Sequence, residues 1–287
     1  MQKHHPMDRP ADTITVRKMR FEFSESMELC FIDRDPKFSF VFLGTWLILP
    51  YLEPYLMRTI RSAMNQVEDE QLRHDMKQFC SQEGQHFKQH AAANTTLLSH
   101  VPGPIRQKIE RRLSEVEAEY RAFSEEKPLA WNLAYAEGFE AYTSAGGRAQ
   151  LEQRIFDHMS DPIRDLMLWH IMEEMEHRTV AFDAYEALVG KYFFRLRVGL
   201  WAQSHFIRIG AELGKLLEEA FPDIVAKGES ADAKAVAGPR RRRLLKETLF
   251  NVLGTYSPWY TPRRATMPVM YEQARAEYDG RAVSLSH

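Results

Sequence analysis

Apolar positions along the chain recur with the three-to-four-residue spacing of amphipathic helices. No stretch of useful length alternates with the period of two that marks a half-buried strand. After a polar, irregular opening, Asp35-Pro36 supplies a helix start and an apolar segment follows over residues 38–64. Pro50 and Pro54 interrupt it, each removing a backbone N–H and crowding the preceding turn, so a kink or break is predicted there. A second helix is predicted over 68–98, stopped by Pro102-Gly103-Pro104 and followed by a charged amphipathic stretch over 105–126. Pro128 opens a third helix that Gly146-Gly147 ends near Ala145. Asp161-Pro162 opens a fourth, which runs to about Val189 ahead of Gly190. Two further helical stretches, 192–219 and 240–253, flank a small, polar segment at 228–238 that reads as a mobile link.

The resulting picture is an all-α chain in three parts: an irregular arm (1–36), a four-helix bundle (37–190) and a helical C-terminal extension (191–287) packing on the bundle. With 14 Gly and 14 Pro in 287 residues, the composition favours long helices over a turn-rich β fold. A net charge of -2 lacks the positive balance of a nucleic-acid binder. Two cysteines, Cys30 and Cys80, are too few for a disulfide scaffold, which points to a reducing, cytoplasmic setting. The polar first 36 residues do not read as a secretory signal. The most apolar run, 38–52, falls short of the roughly 20 residues a membrane crossing needs, so it reads as a buried core helix and no transmembrane segment is expected. The stretch 192–209 mixes aromatics with Arg195, Arg197 and Arg208. Packing over the bundle is its reading, with peripheral membrane contact or a homodimer interface as alternatives. The run Arg240 to Arg243 reads as a solvated helix start.

A repeated signal changes this picture. Glu83-Gly84-Gln85-His86 stands in the second predicted helix and Glu174-Met175-Glu176-His177 in the fourth; both are Glu-x-x-His. Residues three apart share a helix face one turn apart, so each carboxylate and imidazole can share a metal ion. Each motif follows a helix that carries an acidic residue in an apolar setting: Glu53 before Glu83, and Glu140 before Glu174, with Glu137 a competitor on nearly the same face. Four carboxylates and two histidines converging in a bundle suit two cations about 3.5–4 Å apart. The mixed oxygen and nitrogen donors favour iron, with manganese or zinc as alternatives. Unneutralised, four buried carboxylates would raise one another's pKa at great cost.

On these residues the chain resembles the family named predicted metal-dependent hydrolases, whose members look like ferritin-like proteins. The resemblance lies in Leu49-Pro50-Tyr51-Leu52-Glu53 with Arg58 and Arg61, and in Phe79 to His86 with His90. It continues in Phe139-Glu140-Ala141-Tyr142-Thr143, in Trp169-His170 with Glu173-Glu174-Met175-Glu176-His177, and in Ala181-Phe182-Asp183. A weaker echo is Tyr256 to Pro262. It spans roughly residues 36–262. Glu140 is preferred to Glu137 because Phe-Glu-x-Tyr-Thr matches the family pattern, while Pro54 directly after Glu53 departs from a regular ligand helix. The family's name implies hydrolysis; its ligand set looks like that of di-iron oxidases and oxygenases.

Around the expected ligands Glu53, Glu83, His86, Glu140, Glu174 and His177, five residues, Glu137, Glu173, His90, His170 and Asp183, invite supporting roles. His90 and His170 lie one turn from their motifs and read as extra ligands, proton relays or hydrogen-bonded core histidines. Glu173 is expected to accept the other imidazole N–H of His86. Asp183, about 240° around the helix from His177, faces a neighbouring helix instead. Phe139, Tyr142, Trp169 and Phe182 are core residues or the lining of a substrate pocket. The functional expectation is an oxygen-activating di-iron oxidoreductase for a small, apolar substrate. It would depend on an external donor such as a ferredoxin or reductase, since the chain carries no Gly-rich dinucleotide motif. A binuclear metal-dependent hydrolase is the alternative, and a non-catalytic metal-binding protein the second alternative.

Overall fold

Asp35 accepts the Phe38 N–H with its side chain and Pro36 occupies the first turn, so helix α1 (Pro36–Trp46) begins where a preset φ and a carboxylate cap coincide. The computed structural model describes residues 13–282; residues 1–12, the start of the expected arm, and 283–287 lie outside the described residues. Helix α2 (Leu49–Met64) follows after a bend of 41°. The break falls at Leu47 and Ile48, ahead of Pro50, which sits in the first turn of α2 where no intrahelical bond is lost. Pro54 lies inside α2 and the helix continues through it. Helix α3 (Glu70–His100) is capped by Asp69, which accepts the Leu72 N–H. Pro102-Gly103-Pro104 both ends α3 and starts α4 (Gly103–Glu126), which carries the chain back to α5 (Leu129–Glu152).

Two sequence expectations fail here for identifiable reasons. Helix α5 does not stop at Gly146-Gly147 but runs on to Glu152. A Cβ at Gly147 would meet the Ile171 side chain at 3.0 Å, so this glycine serves close packing rather than a cap. The fourth helix is two: α6 (Ile163–His177) ends immediately after the second Glu-x-x-His, and α7 (Val180–Leu188) resumes past Arg178 and Thr179. Gly190, at φ 58, takes the left-handed position that follows α7.

The C-terminal part is more ordered than its composition suggests. Helix α8 (Tyr192–Ala220) is followed by α9 (Pro222–Gly228) and α10 (Ala231–Thr255). The expected mobile link is therefore mostly helical, because Ser230 accepts the Ala233 N–H and starts α10 nine residues before the arginine run. Arg240 is buried in mid-helix and donates to the Asp33 carbonyl, while Arg241 pairs with Asp35 at 2.8 Å; the run clamps the N-terminal segment rather than facing solvent as a unit. Helix α11 (Val269–Arg281), which the sequence pattern did not suggest, closes the chain.

All eleven helices taken together make an all-α fold, and a lone bridge between Ile32 and Met159 is the only β pairing among the described residues. Helices α2, α3, α5 and α6 contact one another in the pairs α2–α3, α5–α6, α3–α6 and α2–α5. Helix α8 lies across α1 and α5, α10 lies on α5, and α11 on α6. Helix α5 is thereby enclosed, and Leu133 through Ala141 are buried without interruption. No single described helix is long and apolar enough to cross a membrane. Helices α1 and α2 meet that test only as a bent pair, and Phe40, Leu43, Leu52 and Ile60 on them are buried in the core.

The seating of α8 depends on glycine at the crossings. A Cβ on Gly138 of α5 would lie 2.2 Å from the Gly199 Cα of α8, and one on Gly44 of α1 would lie 2.3 Å from the Gly210 carbonyl oxygen. Both clashes are with backbone, which cannot swing aside. Gly138→Val is expected to force α5 and α8 apart and to cost about 1–3 kcal/mol or more, measured by denaturant unfolding. A loss below a few tenths would show that the crossing is not close-packed.

Candidate metal centre

Each of the four inner helices brings donors to one buried point. Helix α2 carries Glu53; α3 carries Glu83, His86 and His90; α5 carries Glu140; α6 carries His170, Glu173, Glu174 and His177. Glu53, Glu83, His86, Glu140, Glu174 and His177 are at most 3 % exposed. The structure brings all six together. His177 Nε2 lies 3.4 Å from Glu83, 3.5 Å from Glu174 and 3.6 Å from Glu140, and His86 Nδ1 lies 3.4 Å from Glu83 and 3.9 Å from Glu174. Donor atoms of Glu53, Glu83 and His86, and of Glu83, Glu140 and His177, fall within 4.8 Å of one another in two groups that share Glu83.

These distances are mostly too long for direct hydrogen bonds. Two donors on a common cation, each about 2.1 Å from it, stand roughly 3–3.5 Å apart, which is the spacing observed. The same conclusion follows from satisfaction. Both oxygens of Glu53, both oxygens of Glu140, Glu83 Oε1, His86 Nδ1 and His177 Nε2 are buried with no hydrogen-bond partner among the described residues. Native folds leave few such atoms, and a convergent set of them fits missing cations. The donor set therefore suits metal ions.

The outward-facing atoms of these ligands, in contrast, are engaged. His86 Nε2 is 3.1 Å from Glu173, and His177 Nδ1 is 2.9 Å from the Gln82 side-chain oxygen. Each imidazole can donate its far N–H to an oxygen, so that its other nitrogen, once deprotonated, would present a lone pair to the cluster. The Thr143 hydroxyl donates to Glu174 Oε2 at 3.0 Å. Behind them Arg17, 1 % exposed, bonds Glu173 at 3.1 Å and Glu176 at 2.8 Å, and Gln82 Nε2 donates to Glu176 at 2.8 Å. Phe79 packs edge-on to His177 and Trp169 edge-on to His86.

The remaining sequence candidates separate cleanly. Glu137 is turned away from the cluster and pairs with Arg195 of α8 at 2.8 Å. Asp183 pairs with Arg263. His170 Nε2 is 2.9 Å from Glu174, and its Nδ1 is 2.6 Å from His90 Nε2, so both extra histidines border the cluster. Of the aromatics, Phe139 and Tyr142 pack edge-on against Phe206, and Phe182 edge-on against Tyr260; of the four, Trp169 alone touches the ring of an expected ligand, His86. Gln82, Glu176 and Thr143 sit within or beside the quoted motifs and went unnoticed because their spacing carries no ligand signal. Arg17 lies 66 residues before Glu83 in a segment without periodicity, and no local pattern marks it.

Electrostatics in the metal-free chain match this geometry. Burial, reinforced by Glu83, raises the Glu53 carboxyl well above its ordinary range, and burial with Glu174 raises Glu140 to about 8. Burial opposes charge on His86, yet its bonds to Glu173 and Glu83 prevail and raise it to about 10. Burial would likewise raise Glu174, but His177 and His170 hold it well below the usual carboxylate range.

A family model described as a predicted metal-dependent hydrolase matches residues 15–265, and the chain belongs to that family. No curated protein and no solved structure matches the chain.

A pH signature follows. A group whose folded pKa exceeds its unfolded value keeps a proton that the unfolded chain releases, so stability falls as pH rises between the two values. Glu140, moved from 4.5 to about 8, and His86, moved from 6.5 to about 10, share this sign. The metal-free chain is expected to melt lower at about pH 9 than at about pH 6, and its affinity for divalent cations to rise over the same interval as protons cease to compete. Differential scanning calorimetry with chelator-competition titrations checks both; a flat affinity profile would contradict the assignment.

Proposed function

We propose that this member of the predicted metal-dependent hydrolases holds two divalent cations in a ferritin-like bundle and hydrolyses a small-molecule ester, amide or phosphate. Glu53, Glu83 and His86 would hold one cation and Glu140 and His177 the other, with Glu83 and Glu174 within reach of both. The observation that carries this reading is the convergence of buried, unpartnered donor atoms from four helices. The family description supports the reaction class. Two dications also balance the four carboxylates, whose burial together would otherwise be prohibitive.

When bound, such a pair supplies Lewis acidity at the scissile group and lowers the pKa of attacking water. The chain's own contribution is orientation and exclusion. Glu173 and Gln82 set the tautomers of His86 and His177, and Thr143 and His170 fix the two oxygens of Glu174. Arg17 pairs with both Glu173 and Glu176, and Arg275 stands 3.8 Å from Glu176, so guanidinium charge offsets part of the cost of burying these two carboxylates. Phe79 and Trp169 shield the imidazoles from bulk water.

The carboxylate-rich donor set favours a second reading, in which two irons and an external electron donor oxidise a small apolar substrate. One set of assays separates the two. Anaerobic hydrolysis of p-nitrophenyl esters or phosphates by the zinc- or manganese-loaded chain supports the hydrolase; turnover only with iron, oxygen and a reductant supports the oxidase. Two bound metals with neither activity would leave a metal-binding protein.

The ligand assignment has its own check. A Glu83→Ala, Glu174→Ala double variant is expected to lose metal while remaining helical by circular dichroism. Glu140→Gln should lower metal content, whereas Glu137→Gln should leave it unchanged. Elemental analysis that found two metals in the double variant would refute the assignment.

A further inference from the structure

Helix α6 presents more to the centre than its Glu-x-x-His. His170, Glu174 and His177 stand at i, i+4 and i+7, one stripe of the helix. The His170 and His86 rings lie 4.3 Å apart between centroids. Donor atoms of His86, His170 and Glu174 fall within 4.8 Å of one another, with His170 Nε2 2.9 Å from the same Glu174 oxygen that lies 3.9 Å from His86 Nδ1. That His86 nitrogen is buried and without a partner. On the other side of the centre, around His177, the corresponding group consists of Glu83, Glu140 and His177, with no second imidazole among the described residues.

We propose that His170 is a further metal ligand through Nε2, so that the two cation positions are chemically unequal: two imidazoles at the His86 position and one at the His177 position. The inference rests on the two-cation reading above. His90 holds the ligand in place, since its Nε2 lies 2.6 Å from His170 Nδ1 and can accept the N–H there, as oxygens do for His86 and His177. Trp46 packs edge-on to the His90 ring, and both are buried, so this support is rigid. Imidazole suits zinc and iron better than manganese or magnesium, which prefer oxygen donors. The His86 position is therefore the one that fills first with zinc or ferrous iron, and manganese discriminates less between the two.

The test is a zinc titration of the metal-free full-length chain against a competing chelator, repeated with manganese. Wild type should bind two zinc ions of distinct affinity, with a smaller gap for manganese. His170→Ala should weaken the tighter zinc site by about tenfold or more while sparing the other, and His90→Ala should weaken the same site. His170→Gln, closer in size and polarity, repeats the measurement should the alanine variant misfold. Two zinc affinities unchanged in the His170 variants would overturn the inference and leave the two-cation reading intact. A third zinc ion lost on mutation of His170 would overturn it in favour of a separate site with Glu53 and His90. A wild-type chain that takes up no zinc and no manganese would overturn both readings.

Discussion

The cost of burying charge governs this molecule. Glu53, Glu83, Glu140 and Glu174 sit within a few ångströms of one another and are almost wholly removed from water. Each carboxylate taken from water costs several kcal/mol, and neighbours of like sign add to that cost. Burial and like charge push the Glu53 and Glu140 carboxyls upward, and the neighbouring carboxylates push the His86 and His177 imidazoles upward against burial. Such an arrangement is expensive for a core that apolar residues could fill more stably. Its retention in the centre of four helices makes sense when cations replace the protons, because they also give each unpartnered oxygen and nitrogen a bond.

That constraint propagates outward. A ligand imidazole must present a lone pair inward, so its other nitrogen needs an acceptor, which explains Glu173 behind His86 and Gln82 behind His177. Glu173 and its neighbour Glu176 then need a counter-charge, and Arg17 provides it from the N-terminal segment. Arg17 also bonds Asp279 on α11, so the segment around Arg17 and helix α11 are both tied to α6. The outer helices follow the same logic at lower stakes: Arg195 on α8 neutralises the buried Glu137, and the glycine crossings let α8 approach closely enough to do so.

The failures of sequence reasoning share a cause. Gly146-Gly147 looked like a helix end because glycine is common there, but Ile171 on another helix decides that glycine is needed for space. The 228–238 segment looked mobile because its residues are small, yet Ser230 caps a helix whose inward face includes Ala233, Ala237 and Arg240. The arginine run looked solvated because local charge density says nothing of Asp33 and Asp35 two hundred residues away. In each case a local propensity worth a few tenths to one kcal/mol was overridden by a tertiary contact worth more.

The sequence by itself determined that the chain is all-α, and it exposed the paired Glu-x-x-His, because helical period and ligand spacing are both local, short-range properties. Glu53 and Glu140 were legible for a related reason: a carboxylate amid apolar residues has no local use. Helical spacing alone did not separate Glu140 from Glu137; in the sequence only the family resemblance favoured Glu140. The two lie less than a turn apart on α5, and only the position of α8, which supplies Arg195 to one and leaves the other facing His177, separates them. Arg17, the partnership of His90 with His170, and the split of the fourth helix after His177 also belong to the tertiary structure alone. They depend on which elements meet across the core, and that is settled by packing among segments far apart in the chain.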